Sequence, residues 1–175
     1  MQLVSVNELP KRFLHNPVLK PQDLRASSHA MKIECLLNPG VFKFNNRIGL
    51  LLRVAERPEQ TTGQVTFPIY NEYGEIEVVR FDKNDPHLDF TDPRVIRYKG
   101  QDYLTTLSHL RLVWSDDGKT FSESDEYAPI YGKDALEAYG IEDCRVTEID
   151  GTFQLTYTMV SHMRVGVGLM QTRDW

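Results

Sequence analysis

Thr91-Asp92-Pro93-Arg94-Val95-Ile96-Arg97-Tyr98 runs on through Tyr103-Leu104-Thr105-Thr106-Leu107 to Ser108-His109-Leu110-Arg111, and versions of this stretch lie on both sides of it. Upstream, Asn38-Pro39-Gly40-Val41-Phe42-Lys43-Phe44 leads to Leu50-Leu51-Leu52-Arg53. Downstream, Asp143-Cys144-Arg145-Val146-Thr147-Glu148-Ile149 leads to Phe153-Gln154-Leu155-Thr156-Tyr157. The starts fall 54 and then 51 residues apart, and Ser161-His162-Met163-Arg164 repeats Ser108-His109-Leu110-Arg111 at a separation of 53. A period of about 50 residues is typical of propeller blades and other repeat arrays.

Each repeat reads as strand, turn, strand. Val41–Phe44 alternates, Asn45-Asn46 turns, and Ile48–Ala55 is nearly continuously apolar, as a central strand buried on both faces requires. Lys99-Gly100-Gln101 and Asp150-Gly151 are the corresponding turns, and Val65–Tyr70 with Ile76–Phe81 flank Asn71-Glu72-Tyr73-Gly74 as a further hairpin. Lys32–Leu36 reads as a separate short strand, and Lys133–Tyr139 as the sole candidate helix, of one or two turns. Residues 1–30 are punctuated by Pro10, Pro17 and Pro21 and read as an extended N-terminal strap. Short strands at even spacing with little helix favour an all-β propeller over a sandwich. Residues 1–175 therefore form a single partial β-propeller domain with repeats starting near 38, 92 and 143, and the pattern breaks mid-blade after Gly166-Val167-Gly168-Leu169.

The 175 residues suit one domain, and 41% hydrophobic with 26% charged residues is ordinary for a globular chain. A formal charge of -5 argues against nucleic acid as a partner, because a phosphate backbone needs a Lys/Arg footprint. No apolar run approaches the roughly 20 residues needed to cross a bilayer, and the N-terminus lacks the pattern of a secretory signal, which points to the cytoplasm. Cys35 and Cys144 show no metal-ligand or redox spacing and read as buried structural thiols.

Asn38, Asp92 and Asp143 each open a repeat, and in a propeller such positions converge near the central channel. Asp before Pro also caps local backbone, which is the competing explanation. Arg53, Arg57, Arg94, Arg111, Arg145 and Arg164 recur in or beside the repeats. They suit an oxyanion, since each guanidinium offers parallel N–H donors, or else they pair with Glu56, Asp92, Glu142 and Asp143. His109 and His162 occupy matched places. Tyr98, Tyr103, Trp114, Tyr157 and Trp175 are either core or platforms for sugar stacking.

Asn38-Pro39-Gly40, Leu50-Leu51-Leu52-Arg53-Val54-Ala55-Glu56-Arg57-Pro58, Asp92-Pro93-Arg94-Val95, Ser108-His109-Leu110-Arg111 and Gly140-Ile141-Glu142-Asp143-Cys144-Arg145 together resemble the mannoside phosphorylases of glycoside hydrolase family 130. The Leu-Leu-Arg-Val-Ala-Glu-Arg-Pro run is similar to the branch acting on β-1,4-mannosides. The resemblance implies a five-bladed propeller, of which about three blades lie in this chain. It also implies an inverting reaction in which inorganic phosphate, a co-substrate with no further cofactor and no metal, cleaves a β-mannoside to α-mannose 1-phosphate. It assigns the catalytic acid to Asp92, with Asp143 as rival and substrate ligand. Asn38, Arg53 and Arg57 become substrate binders, and Arg145, His162 and Arg164 phosphate binders. Cys144 departs from the family's usual proline. An inverting mannosidase and a non-catalytic glycan-binding or assembly fragment are the alternatives, and uncovered blade faces predict a homo-oligomer or the remainder of a longer chain.

Overall fold

The three repeated segments fold as three hairpins, each closed by the same backbone device. In the computed structural model, which describes residues 10–175, β1 (Met31–Phe44) and β2 (Arg47–Pro58) join through Asn45-Asn46, β6 (Val95–Tyr98) and β7 (Gln101–Leu104) through Lys99-Gly100, and β10 (Ile141–Ile149) and β11 (Thr152–Val160) through Asp150-Gly151. Both residues of every turn have positive φ (46° and 64°, 49° and 83°, 50° and 70°), the requirement of the two-residue turn whose twist matches the flanking strands. Asn, Asp and Gly tolerate that region best, which is why they recur there.

The remaining strands are β3 (Gln64–Tyr70), β4 (Ile76–Asp82), β5 (Leu88–Asp89), β8 (Leu107–Ser115), β9 (Ser122–Glu123) and β12 (Val165–Thr172). The described residues are all-β apart from two single 3-10 turns, Pro21–Asp23 and Ala135–Glu137, so the Lys133–Tyr139 helix reduces to one turn capped by Asp134. The strands form four antiparallel sheets in the orders β1-β2-β8-β9, β10-β11-β12, β3-β4 and β5-β6-β7. No helix among the described residues is long and apolar enough to cross a membrane.

The repeat breaks at β8. By the repeat it should pair within its own unit, as β12 pairs with β11, but it leaves the β6–β7 hairpin and pairs with β2 from Glu56↔Leu107 to Ile48↔Ser115. Ser108–Arg111 thus lies inside a strand buried at every residue, whereas Ser161–Arg164 is the turn between β11 and β12. There Ser161 Oγ accepts from the backbone N–H groups of Met163 and Arg164. The four matched residues are not structurally equivalent: the first copy lies inside β8, which pairs with β2, and the second forms the turn that leads into β12.

Two cores follow from the alternation along β2. Leu51 points to a cluster with Phe42, Leu110, Leu112, Trp114, Ile141, Cys144, Phe153 and Leu155, which joins the first sheet to β10-β11-β12. Phe42 anchors it, edge-on to Trp114 and Phe153 and stacked at 4.1 Å on Trp175. Gly49, opposite Phe42, has no alternative, since a Cβ there would sit 2.3 Å from the ring. On the other face Leu50, Leu52, Val54 and Val113 pack with Leu24 of the strap. A third cluster, Val65, Phe67 and Ile96 with Phe81 and Tyr103, joins β3–β4 to β5–β7. Tyr98 stacks on Phe81 at 4.0 Å and Tyr103 lies 4.6 Å from Phe67. The aromatic candidates for sugar stacking are thereby committed to packing, and Tyr157 donates to Glu137 at 2.6 Å.

A buried polar network fixes the strap to this frame. Glu56 is fully buried and Arg111 is 5% exposed, and their charged groups meet at 3.1 Å. Arg111 also donates to Glu123 at 2.8 Å, to the carbonyl of Arg25 and, through Nε, to His109 Nε2 at 3.1 Å. Both carboxylate oxygens of Glu56 accept from Ser27, one from its N–H at 2.9 Å and the other from its hydroxyl.

Removing one member of a buried pair leaves an uncompensated charge. Arg111→Leu is expected to lower unfolding free energy by about 3–5 kcal/mol in urea titrations, with a smaller loss in the double variant that also carries Glu56→Leu. Burial, and then the neighbouring Arg111, push the His109 pKa down to about 3. The unfolded chain therefore binds a proton there below roughly pH 6.5 that the folded chain refuses. Stability should fall as pH drops from about 6.5 towards 3, by at most about 1.4 kcal/mol per unit from this group. His109→Leu should flatten that part of the profile in denaturation measured across pH.

Candidate active site

Two strand bulges build the site. β1 shifts register between Leu37 and Gly40, and β10 between Glu142 and Arg145. At their centres Asn38 and Asp143 both adopt positive φ, 38° and 51°. Bulges re-aim side chains, and Asn and Asp are the non-glycine residues best suited to that backbone. The two meet because Gly40 lets the strands close up: a Cβ on it would lie 3.0 Å from the carbonyl oxygen of Cys144.

Arg53, paired with Leu37 across β1–β2, reaches into this junction. Its Nη1 donates to Asp143 Oδ1 at 3.2 Å, Nη2 to Glu142 Oε1 at 2.7 Å and Nε to Ser108 Oγ at 3.2 Å. Partial burial alone would raise the Asp143 pKa, but hydrogen bonds from the Asn38 side chain and Arg53, with the charges of Arg53 and Arg145, hold it below the usual carboxylate range. Arg145 Nη1 donates to the carbonyls of Asn38 at 3.2 Å and Cys144 at 2.9 Å, and forms no salt bridge among the described residues. Cys144 turns the other way, into the core, so the residue between Asp143 and Arg145 leaves both free to face the junction.

Asp92 stands elsewhere. It precedes β6 in a turn without a bulge, and its carboxylate accepts from the Arg94 backbone at 2.8 Å and from that guanidinium at 3.3 and 3.2 Å. These bonds to Arg94 keep it ionised. Its expected equivalence with Asn38 and Asp143 is one of sequence, not of backbone geometry. Asp92 lines a pocket of about 170 Å³ with Arg57, Gln60, Thr66, Lys83 and Thr105. Arg57 lies four residues beyond Arg53 on β2, roughly 13 Å along the strand, and its buried Nε has no acceptor. His162 lines a third space, a groove of about 640 Å³ with Val95, Gln101, Asp102, Leu104 and Tyr139, and Arg164 is exposed on the neighbouring turn.

The expected residues thus fall into groups: Asn38, Arg53, Asp143 and Arg145 together, Arg57 with Asp92, and His162 with Arg164 on the β11–β12 turn. His109 is buried beside Arg111 and Tyr131 and belongs to the frame. Sequence reasoning gave no role to Ser108 and treated Glu142 only as an ion-pair partner. The available signal was Glu-Asp directly at the position where β10 bulges. Among the described residues no group of three His, Cys, Asp or Glu side chains is placed to hold a metal.

The fold has a solved counterpart. Over 170 residues the chain is 36% identical to the β-1,2-mannobiose phosphorylase of Listeria innocua, a match that covers 94% of this chain and 48% of that protein. The chain resembles half of a mannobiose phosphorylase. The structure of the Listeria enzyme with β-1,2-mannobiose superposes with a TM-score of 0.81 over 93% of this chain and 48% of its own. More distant structures share the fold. One is a GH130 glycoside hydrolase that targets β-1,2 mannosidic linkages in Candida mannan, at 16% identity and a TM-score of 0.55 over 91% of this chain and 36% of that one. Another is a glycosyl hydrolase from Bacteroides ovatus, at 18% identity and a TM-score of 0.50 over 79% of this chain and 29% of that one. No family model matches. The chain spans about half the length of the curated relative it matches.

The two cysteines offer a check on the site's packing. Burial pushes the Cys144 thiol up to about 12, as expected of a buried thiol, while Cys35, expected to be buried as well, occupies an exposed position of β1. Since the thiolate is the reactive form, a disulfide reagent at pH 8 should modify Cys35 at once and Cys144 only as the chain unfolds. Rapid titration of both thiols under native conditions would contradict the close contact of β1 and β10.

Proposed function

We propose that this chain supplies the mannose-binding half of an inverting β-mannoside phosphorylase of glycoside hydrolase family 130, built as a five-bladed propeller. The observation that carries this is Arg53 held against Asp143 and Glu142 between two bulges, in a chain 36% identical to a mannobiose phosphorylase. In the reaction an oxygen of inorganic phosphate attacks the anomeric carbon. The glycosidic C–O bond breaks, its electron pair leaves with the acceptor sugar's oxygen, and that oxygen takes a proton delivered from the opposite face. The products are α-mannose 1-phosphate and the shortened sugar.

Geometry favours Asp143 over Asp92 for the acid. Asp143 sits where strands from both sheets converge and is bonded by residues that themselves can contact a sugar, whereas Asp92 is tied to Arg94 on its own turn. In this reading Asp143 enters the step protonated and gives its proton to a sugar hydroxyl as that hydroxyl passes its own to the leaving oxygen, and Asn38 and Arg53 stabilise the carboxylate that remains. Asn38 and Arg53 then hold the mannose, and Arg57 with Asp92 lines a separate pocket as a second sugar contact. Arg145, with no carboxylate partner, is the phosphate ligand within the cluster. His162 and Arg164 lie outside it and join only through movement of the β11–β12 turn.

For linkage, the Listeria relative supports β-1,2-mannosides, while the Leu50–Pro58 run supports the β-1,4 reading. The second functional reading, an inverting mannosidase, needs a carboxylate base for water where Arg145 stands. The test supplies β-1,2- and β-1,4-mannobiose with and without phosphate to the chain co-expressed with the unmatched half of the Listeria relative. Mannose 1-phosphate formed only with phosphate supports the proposal, and free mannose released equally without phosphate replaces it with the hydrolase. Asp143→Asn should lower the rate on the order of 10²- to 10⁴-fold, as loss of a proton-transfer group does. Asp92→Asn should lower it less than about tenfold, and the reverse ranking would return the acid role to Asp92.

A further inference from the structure

Neighbouring residues of a regular strand point to opposite faces, yet Glu142 and Asp143 bind the same guanidinium. Asp143 and Cys144 of β10 stand opposite the single Tyr157 of β11, and Asp143 takes a φ of 51°. The extra residue turns Asp143 to the side on which Glu142 already lies, so both carboxylates reach Arg53. Their holds differ. Glu142 accepts from Nη2 at 2.7 Å with its side chain 19% exposed, whereas Asp143 accepts from Nη1 at 3.2 Å with its side chain 35% exposed. The shorter and more enclosed bond thus goes to the carboxylate that transfers no proton in the proposed reaction. A third anchor comes from β8. Ser108 is buried, its hydroxyl accepts from Arg53 Nε at 3.2 Å, and its backbone bridges to Gly140, just ahead of β10. Gly140, at a φ of 106°, permits that approach, since a Cβ there would lie 2.3 Å from the Ser108 carbonyl oxygen. Ser108 and Glu142 therefore bind Nε and Nη2 from two different strands, and Asp143 has only Nη1.

We propose that Glu142, assisted by Ser108, is a positioning residue of this site: it keeps Arg53 aligned while Asp143 changes charge. The hold on Arg53 rests on geometry alone, and its use in turnover rests on the functional reading above. When Asp143 is protonated, Arg53 loses one of its two anionic partners. Glu142 keeps its charge through that step and stays within ion-pair distance of Nη2. The guanidinium therefore remains where the Asp143 carboxylate reappears, instead of turning to solvent and having to be ordered again in each cycle. Arg145, the other cation that bears on Asp143, is bonded to the carbonyls of Asn38 and Cys144, so its placement does not depend on Glu142.

The test reads Arg53 itself, by nuclear magnetic resonance of the chain with isotope-labelled arginine side chains. A guanidinium bound at Nε, Nη1 and Nη2 exchanges its Nε proton slowly and gives separate Nη signals, because its rotation is hindered. Arg53 should show both, with Arg111, held by Glu56 and Glu123, as the reference in the same spectra. Glu142→Ala should merge the Arg53 Nη signals and speed its Nε exchange at least about tenfold, the worth of one hydrogen bond to a charged group. Ser108→Ala should also speed that exchange, and Glu142→Gln, which keeps an acceptor without the charge, should fall between Glu142→Ala and the unsubstituted chain. Arg111 should not change in any of them. Arg53 signals that are already averaged in the unsubstituted chain, or that survive Glu142→Ala, overturn the proposal. Loss of the Arg111 signals together with those of Arg53 overturns it too, since Glu142 would then be a support of the whole fold. In the co-expressed complex used for the functional test, Glu142→Gln should lower kcat by up to about 10²-fold with KM changed less than about threefold, the cost of a misplaced group. An unchanged kcat removes the role in turnover. A complex that yields no phosphorolysis even without substitution sinks the functional reading and leaves the hold on Arg53 to be judged by the spectra.

Discussion

The buried contact between Glu56 and Arg111 is the constraint on which the arrangement of β2 and β8 depends. On β2, residues 50, 52, 54 and 56 face the strap and residues 51, 53, 55 and 57 face the opposite way, and the matching face of β8 carries His109, Arg111 and Val113 on the strap side. A register slip of one residue would carry Glu56 to the other face and leave Arg111 buried without its carboxylate, at a cost of several kcal/mol. The ion pair thus holds the register that sets Arg53 beside Ser108 and aims it at Asp143. The strap contributes by completing the hydrogen bonds of Glu56 through Ser27, so a segment whose described residues form no strand helps to position a guanidinium on the far side of the sheet.

The same alternation explains why some arginines are frame and others site. Arg111 is consumed by Glu56 and Glu123, and Arg94 by Asp92 two residues away. Arg53 is ion-paired yet still 21% exposed at the junction, and Arg57 keeps a buried N–H without an acceptor. Six arginines near a repeated motif are indistinguishable in sequence. What separates them is which face of which strand they occupy and whether a carboxylate reaches them first.

Much of the fold was legible because it is local. The Asn45-Asn46, Lys99-Gly100 and Asp150-Gly151 turns are dictated by backbone preference at two residues, the β3–β4 hairpin by Asn71 and Gly74, and the doubly buried β2 by its apolar run. The failures are all non-local. Nothing within Ser108–Arg111 announces that β8 abandons its hairpin for β2, since that choice is made by the match of two apolar strands whose paired residues lie 51 to 67 positions apart. The short strand at Lys32–Leu36 merges into β1 because a bulge at Asn38-Pro39 lets the strand continue past a residue without an N–H. In the site, the meeting of Asn38 and Asp143 was legible from their matched places in the repeat, but the exclusion of Asp92 and the part of Glu142 and Ser108 depend on bulge geometry that sequence spacing does not encode.

Two bulges with positive φ, one on each of two adjacent sheets, also account for the difference between the first and third repeats on one side and the second on the other. Where Asn38 and Asp143 each need a partner strand to bulge against, β2 and β11 are long enough to supply it on both sides of the irregularity. β6 is four residues long and pairs with an equally short β7, so its ladder begins only at Val95, after Asp92. Asp92 is left in a turn where its nearest donor is Arg94, and a carboxylate satisfied within two residues of itself has little reason to reach for a distant ligand. Asp143 has the opposite surroundings, because its partners come from β1 and β2 and are fixed by the packing of two sheets. A carboxylate oriented by long-range contacts keeps one aim whatever its own loop does, which is the property a group working on a bound sugar must have.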